Sequence, residues 1–459
     1  MSACAEGKMW YTINNWKGDD NTLRQAMEDL VIWMNRADRK PLLLRGARQV
    51  GKTWLMREFG RLYFKNVAYI NFDDNERMSA LFKGDLNIGR LVTALQIEAG
   101  IPITASDTLL IFDEIQEVPR ALTSLKYFNE NAPEYAIVAA GSLLGVALHQ
   151  GTSFPVGKVE FLDLYPMSFP EFLDATENNG ISELLRAERP DFEMITAFKG
   201  KLIDSLKYYY YVGGMPEAVA AFARNRDFSE ARRIQLRLLE AYNQDFSKHA
   251  PNETVPRIHA LFGSIPAQLA RENRKFIYGL IREGARAREY ELATQWLLDC
   301  GLIYKVNRVT KPDMPLMAYA DQNAFKLYML DVGLLSAKSD LDLKSLLEGN
   351  RVFEEFKGAL TEQYALQQLL CGCQLRPHYW TAENTAAEVD FVFQDGPDII
   401  PLEVKAEENL KAKSLRLYVD RYKPKCALRA SMSDYRRESW LVNVPLYAIG
   451  LVRRVIGDY

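Results

Sequence analysis

Residues 41–53 read PLLLRGARQVGKT, and the rest of the chain is ordered around them. Pro41-Leu42-Leu43-Leu44 is the short apolar run that a strand buried on both faces requires. Gly46-Ala47-Arg48-Gln49-Val50-Gly51-Lys52-Thr53 matches G-x-x-x-x-G-K-[ST], a phosphate-binding loop. Gly46 and Gly51 permit tight turns, so successive backbone N–H groups face one concavity that can hold phosphate oxygens. Lys52 can bring a point charge to the β- and γ-phosphates, and the Thr53 hydroxyl can ligate Mg²⁺. Trp54–Tyr63 can be helical, which aims a helix N-terminus at the same anion. Bound ATP with Mg²⁺ is the expectation for residues 46–53.

At 459 residues the chain is too long for one core and implies roughly two to four domains. Hydrophobic content of 48% and charged content of 25% are those of a soluble globular protein. A net charge of −3 gives no global basic field, so any nucleic-acid contact must come from a local patch. Cys4, Cys300, Cys371, Cys373 and Cys426 are odd in number and lack zinc-type spacing, which points to reduced thiols and a cytoplasmic location. No apolar run reaches about 18 residues, and no charged-then-apolar leader opens the chain. Neither a membrane span nor secretion is expected.

Residues 1–21 carry no period and read as an N-terminal extension. Thr22–Trp33 reads as a helix, with Leu23, Met27, Leu30 and Val31 at helical spacing. Val67–Phe72, Thr108–Phe112 and Tyr135–Ala140 are further apolar runs, and Val159–Leu164 is a candidate fifth strand. Helical stretches separate them, which predicts a doubly wound, mostly parallel α/β sheet with its ligand at the carboxyl ends. The third run closes on Asp113-Glu114, the form of a Walker B segment. Asp113 would hold the metal through water, and Glu114 would be the general base. The fourth closes on Gly141-Ser142, making Ser142 a candidate γ-phosphate sensor; a plain strand-to-helix turn is the alternative.

With these motifs, residues 22–175 resemble a prokaryotic branch of the AAA-type ATPases, whose loop reads RGARQVGKT and whose Walker B strand reads LIFDEIQ. Leu164–Phe172, LYPMSFPEF, is similar to the branch's LYPLSFEEF, and Tyr211–Glu217, YVGGMPE, to its GGMPE motif. The resemblance implies ATP hydrolysis and, commonly in AAA-type proteins, a homo-oligomer in which a neighbour lends a cationic finger. Where the branch has Gly-Arg before the LYP segment, this chain has Gly157-Lys158. Lysine lacks the bidentate fork of arginine, so Lys158 departs from the pattern at the finger position.

Residues 181–265 read as helical. Phe276–Ile281 and Tyr290–Leu298 then read as helices joined through Gly284, followed by candidate strands Leu302–Val306 and Leu316–Ala320. That order describes a winged helix-turn-helix. Arg271, Arg274, Lys275, Arg282, Arg286 and Arg288 are concentrated there, a candidate DNA contact; packing or protein binding is the other use of the same fold.

In the last stretch Phe353–Leu370 is an amphipathic helix carrying Glu362, followed by His378–Thr381, Glu388–Phe393 (EVDFVF) and Ile399–Lys405 (IIPLEVK). Period two puts Glu403 and Lys405 on one face of their strand. Asp390 on the paired strand can share Mg²⁺ with Glu403, Glu362 can complete the acidic group, and Lys405 can face a reacting phosphate. These residues fit the PD-(D/E)XK nuclease pattern, which implies a restriction-endonuclease-like α/β fold. The tail also resembles the domain that accompanies the same ATPases (YW…EVDFV…PLEVK).

The expected order is an extension (1–21), P-loop core (22–180), helical region (181–265), winged helix (266–350) and nuclease-like tail (351–459). Two functions stay open. In one, an ATP-hydrolysing machine acts on DNA through the winged helix and tail. In the other, an ATP-dependent switch carries a catalytically inactive tail that binds protein or DNA.

Overall fold

The structure, a computed structural model, describes residues 24–141, 154–271, 274–348, 354–383, 385–407 and 412–457. Helix α1 (Ala26–Met34) leads into β1 (Leu42–Arg45) and, past the glycine loop, α2 (Lys52–Tyr63). There follow β2 (Asn66–Asn71), α3 (Glu76–Lys83), α4 (Ile88–Ala99), β3 (Thr108–Asp113), α5 (Pro119–Asn131), β4 (Ala136–Ala140) and β5 (Glu160–Asp163). These strands form one parallel sheet in the order β2-β3-β4-β1-β5. Alternate residues feed two cores: Leu42, Leu44, Leu109, Ile111 and Val138 on one face, Leu43, Leu110, Phe112 and Ile137 on the other. Continuous apolar runs are what a strand covered on both sides needs. With β4 between β1 and β3, the glycine loop and Asp113 meet at the carboxyl edge across one strand.

A helical layer comes next: α6 (Phe169–Ala175), α7 (Asn179–Arg186), α8 (Phe192–Ala197), α9 (Lys199–Val212), α10 (Pro216–Asn225), α11 (Phe228–His249), α12 (Val255–Leu269) and α13 (Ala287–Asp299). The chain continues through β6 (Ile303–Val309), β7 (Ala320–Met329), α14 (Val332–Lys338), α15 (Leu343–Glu348) and α16 (Glu354–Cys371). It ends with β8 (His378–Thr381), β9 (Glu388–Asp395), β10 (Asp398–Val404), α17 (Lys413–Tyr422), β11 (Leu428–Ser431), β12 (Arg436–Arg437), β13 (Val442–Pro445) and α18 (Val452–Gly457). The later strands build one mixed sheet, β12-β13-β11-β10-β9-β8-β6-β7. The β6–β7 hairpin is part of that sheet, because Arg308 and Val309 pair in parallel with Tyr379 and Trp380.

The winged-helix expectation therefore needs correction in two places. Phe276–Ile281 is not a helix but a single 3₁₀ turn, Tyr278–Leu280. The Phe276 N–H donates to Phe325 O, and the Gln268 amide bridges both backbone groups of Ile277, so the start of this segment is bonded to other elements in an extended conformation. Leu316–Tyr319 is likewise a 3₁₀ turn, and the second strand starts at Ala320. No helix among the described residues is long and apolar enough to cross a membrane.

A buried polar network ties the sheets together. Asp331 is fully buried and accepts from Gly214 N (2.6 Å), Leu334 N (3.0 Å) and Gln367 Nε2 (3.0 Å). Gln367 Nε2 also donates to the Tyr209 hydroxyl (2.9 Å), which itself donates to Met167 O. Gln368 Oε1 accepts from Phe169 N at 2.8 Å. The consecutive glycines of GGMPE have a steric cause. A Cβ on Gly213 would lie 2.1 Å from Asp331 Oδ1, and one on Gly214 would lie 2.2 Å from Met167 O. Helix α16 of the tail is thereby bonded to the start of α6, directly after the first sheet.

Candidate nucleotide site and the polar cluster of the tail

The glycine loop is shaped by positive backbone angles: φ is 144° at Gly46, 67° at Gln49 and 95° at Gly51. Gly46 has a second constraint, since a Cβ there would lie 2.2 Å from Leu164 O. Lys52 is buried, and its ammonium donates to Gly46 O (2.9 Å) and Ala47 O (2.8 Å). Burial depresses it to about 8, against the opposing pull of Glu114 and Asp113.

Asp113 collects three donors. Its Oδ2 accepts from the Thr53 hydroxyl (2.7 Å) and the Tyr69 hydroxyl (2.8 Å), and its Oδ1 from Glu114 N (3.2 Å). Glu114 holds a left-handed conformation, φ 51°, and its Oε2 accepts from Gln116 Nε2 at 2.7 Å. A hydroxyl and a carboxylate in contact are the hard oxygen donors that Mg²⁺ takes, so Thr53 and Asp113 fit that ion.

The walls of the loop come from distant segments. Buried Arg24 donates to Val50 O (3.0 Å), Tyr165 O (2.7 Å) and Glu171 Oε1 (3.1 Å). On the other side Arg48 pairs with Asp245, and the Tyr242 hydroxyl donates to Arg48 O at 2.9 Å. Gly301 approaches so closely that a Cβ would stand 3.2 Å from Ala47 N. Arg24, Tyr69, Gln116, Tyr242 and Asp245 were not singled out from sequence, and of these only Gln116 lies inside a recognised motif, LIFDEIQ. Ser142 lies outside the described residues. Lys158 forms an ion pair with Glu130 at 2.9 Å.

In the tail, Glu362, Asp390, Glu403 and Lys405 do come together; the three carboxylates are buried, and Lys405 is half-exposed. Asp390 Oδ2 accepts from Val404 N (2.8 Å), and Lys405 Nζ pairs with Glu403 Oε1 (2.6 Å). Glu403 Oε2 is buried with no hydrogen-bond partner. Glu362 is occupied otherwise than expected: Arg274 pairs with it, the Tyr328 hydroxyl donates to it (3.0 Å), and buried Lys326 lies 3.7 Å away. Lys326 also pairs with Glu388. Burial raises the Glu362 carboxyl, but Arg274 and Lys326 outweigh it and hold it below its ordinary range. Burial, then Glu362 and Glu403, push Asp390 well above its own.

Two expectations change accordingly. Arg274 faces inward to Glu362, so it is no part of a DNA-facing surface. Glu362 already carries protein cations where a metal was expected. No group of three or more His, Cys, Asp or Glu is placed to hold a metal among the described residues.

Residues 38–173, the stretch that carries the glycine loop and Asp113, match the family model described as an AAA domain. Residues 203–345 and 357–449 match two models, each described as a domain of unknown function (DUF8612 and DUF4143). A search of the curated proteins gave no match. Among solved structures, a Walker-type ATPase of Pyrococcus abyssi is 16% identical over 69% of this chain and 95% of its own, with a TM-score of 0.42. The Orc1 protein of Aeropyrum pernix, solved in complex with DNA, is 16% identical over 69% and 91%, with a TM-score of 0.26. Cdc6p of Pyrobaculum aerophilum is 14% identical over 73% and 96%, with a TM-score of 0.25. At such identities and TM-scores these likenesses carry no inference about ligand or partner.

Proposed function

We propose that the chain binds ATP with Mg²⁺, hydrolyses it, and passes the nucleotide state through the helical layer to the tail. The observation that carries this reading is the 2.7 Å contact between Thr53 and Asp113, two residues 60 positions apart, beside a buried Lys52. Backbone N–H groups of residues 46–53 cradle the phosphates, while Lys52 turns from the carbonyls of Gly46 and Ala47 to the β- and γ-oxygens. Thr53 and Asp113 would hold Mg²⁺, and the ion would supply neutralisation of charge on the phosphate oxygens. Glu114 accepts the proton of the attacking water, and Gln116 fixes its carboxylate. Ser142 is kept as the γ-phosphate sensor, and Lys158 as the cation a neighbouring copy would receive.

Arg48, paired with Asp245 of α11, and Tyr242 of the same helix put a reporter of the loop into the helical layer. Gln235 of α11 donates to the carbonyls of Tyr211 (2.8 Å) and Val212 (2.7 Å), just before the glycine pair that Asp331 binds. Loop, α11, GGMPE and α16 are thus in continuous contact. In this reading the tail is a binding module of a DNA-directed switch. Lys52→Ala tests the nucleotide half: calorimetric titration with ATP should show no binding at concentrations that saturate wild type. Wild-type affinity in that variant contradicts the assignment.

A second reading, Mg²⁺-dependent DNA cleavage by Asp390, Glu403 and Lys405, is favoured by the buried, unpartnered Glu403 Oε2. Against it stand Arg274 and Lys326, which already neutralise Glu362. Nicking of supercoiled DNA that Mg²⁺ or Mn²⁺ supports and Lys405→Ala removes would establish the second reading.

A further inference from the structure

Near its end the chain changes sign. Residues 411–437 hold nine Lys or Arg against two Asp, a surplus of seven, in a chain whose net charge is −3. Lys413, Arg416, Arg421, Lys423, Lys425, Arg436 and Arg437 are exposed on α17, the segment after it and the edge strand β12. Helix α17 is fixed to the sheet by Leu415 and Tyr418, which are buried with Trp380, Val392 and Leu441, so its basic side faces outward. The Arg416 guanidinium lies 5.0 Å over the Trp440 ring. Arg436 reaches Glu438 at 2.6 Å, and Arg429 lies 3.6 Å from the same carboxylate. Strand register sets Arg429 beside Glu403, whose carboxylate pairs with Lys405. The exposed basic residues therefore lie on α17, the segment after it and β12, while buried Arg429 connects Glu438 to the strand that carries Glu403.

We propose that this surface holds the sugar–phosphate backbone of a nucleic acid. The proposal rests on the reading that the partner is a nucleic acid, and of the two regions expected to touch it, 271–288 and the tail, it assigns the contact to this face of the tail. In that region Arg274 is taken by Glu362, and Arg282 stands 3.7 Å from Glu289. On α17 the apolar side is already buried, and Leu417 is its one exposed large apolar residue. That leaves no apolar face to enter a bilayer and no apolar centre for a protein interface. Arg416, Lys425 and Arg436 share their charge with Asp420, Asp398 and Glu438, whereas Lys413, Arg421 and Lys423 form no ion pair among the described residues. A row of cations on a rigid helix suits a ligand whose charge repeats, because each phosphate neutralised releases condensed counterions.

The test is fluorescence anisotropy of a labelled duplex of about 20 base pairs, titrated with the full chain at salt from about 50 to 200 mM. Wild type should bind with a steep inverse dependence on salt. Replacing Lys413, Arg421 and Lys423 together by Gln should lower that log–log slope by about 3, at ~0.9 per lost phosphate contact. DNA-free phosphate release and melting temperature should stay unchanged. Should the triple variant melt lower, Arg421→Glu alone must still weaken duplex binding. Wild-type binding that the triple variant retains, or that Arg282→Gln, Arg286→Gln and Arg288→Gln remove instead, overturns the surface while leaving nucleic acid as partner. No binding by wild type to duplex or single strand overturns both readings. Preference for vesicles of anionic lipid over DNA overturns the proposal in favour of a membrane surface.

Discussion

Replacing Gln367 by leucine removes one amide and leaves three groups without it. The Val332 N–H loses its acceptor, Asp331 loses one donor to a buried carboxylate, and the Tyr209 hydroxyl loses the Gln367 N–H. A buried donor left unpaired costs about 1–3 kcal/mol, and a hydrogen bond to a charged group contributes about 1.5–3 kcal/mol. Added apolar burial returns about 1 kcal/mol, so the net loss is about 2–5 kcal/mol, large against the ~5–15 kcal/mol of a typical domain. Urea unfolding followed by tryptophan fluorescence measures it. The nucleotide site should lose order with the tail, because α16 is bonded to Phe169 and Asp331 alike. Gln367→Glu sharpens the test. It keeps an acceptor for Val332 but sets two buried carboxylates together, so its stability should recover as pH falls and one of them is protonated. A Gln367→Leu transition within about 1 kcal/mol of wild type would refute the network as a structural tie.

Three further outcomes are expected. Lys52 titrates at about 8 in the free protein, and phosphate favours its charged form, so ATP affinity should fall by up to about tenfold per pH unit above that value; an affinity flat to about pH 9.5 contradicts the assignment. Tyr69→Phe removes a donor from Asp113 while Thr53 keeps its own, and should raise the Mg²⁺ concentration for half-maximal phosphate release by about tenfold with little change in ATP affinity; an unchanged Mg²⁺ dependence makes the hydroxyl incidental. Asp390 is raised by burial, Glu362 and Glu403, so it stabilises most below its unfolded value and costs stability as pH rises through its folded one. Asp390→Asn keeps an acceptor for Val404 N and should melt higher than wild type, with a gap that widens as pH rises above the ordinary carboxylate range; a lower melting temperature would show the carboxylate itself to be a structural support.

The first sheet was legible because its strands are buried on both faces and declare themselves as apolar runs. Val159–Leu164, the least certain of them, is the parallel neighbour of β1. What the sequence concealed was long-range. Nothing local in Asp331, Gln367 or Tyr209 announces a shared network, since each is an ordinary polar residue until the chain closes around it. Phe276–Ile281 has the apolar spacing of a helix, yet Phe325 and Gln268 capture its backbone, a tertiary contact overriding local propensity. The D…E-x-K spacing correctly gathered Asp390, Glu403 and Lys405, but it could not reveal that Arg274, from an earlier segment, would reach Glu362. The basic surplus of 411–437 was countable from the start and was hidden by averaging over an acidic chain.

The most direct test of the account is steady-state phosphate release by Glu114→Gln, measured beside ATP binding on the same preparation. Glutamine keeps the shape and the contact with Gln116 but cannot take a proton from water. Retained ATP affinity with turnover reduced by about 100-fold or more is the predicted result. Turnover at the wild-type rate would contradict Glu114 as the base, and with it the claim that this chain hydrolyses ATP at the Lys52–Asp113 site.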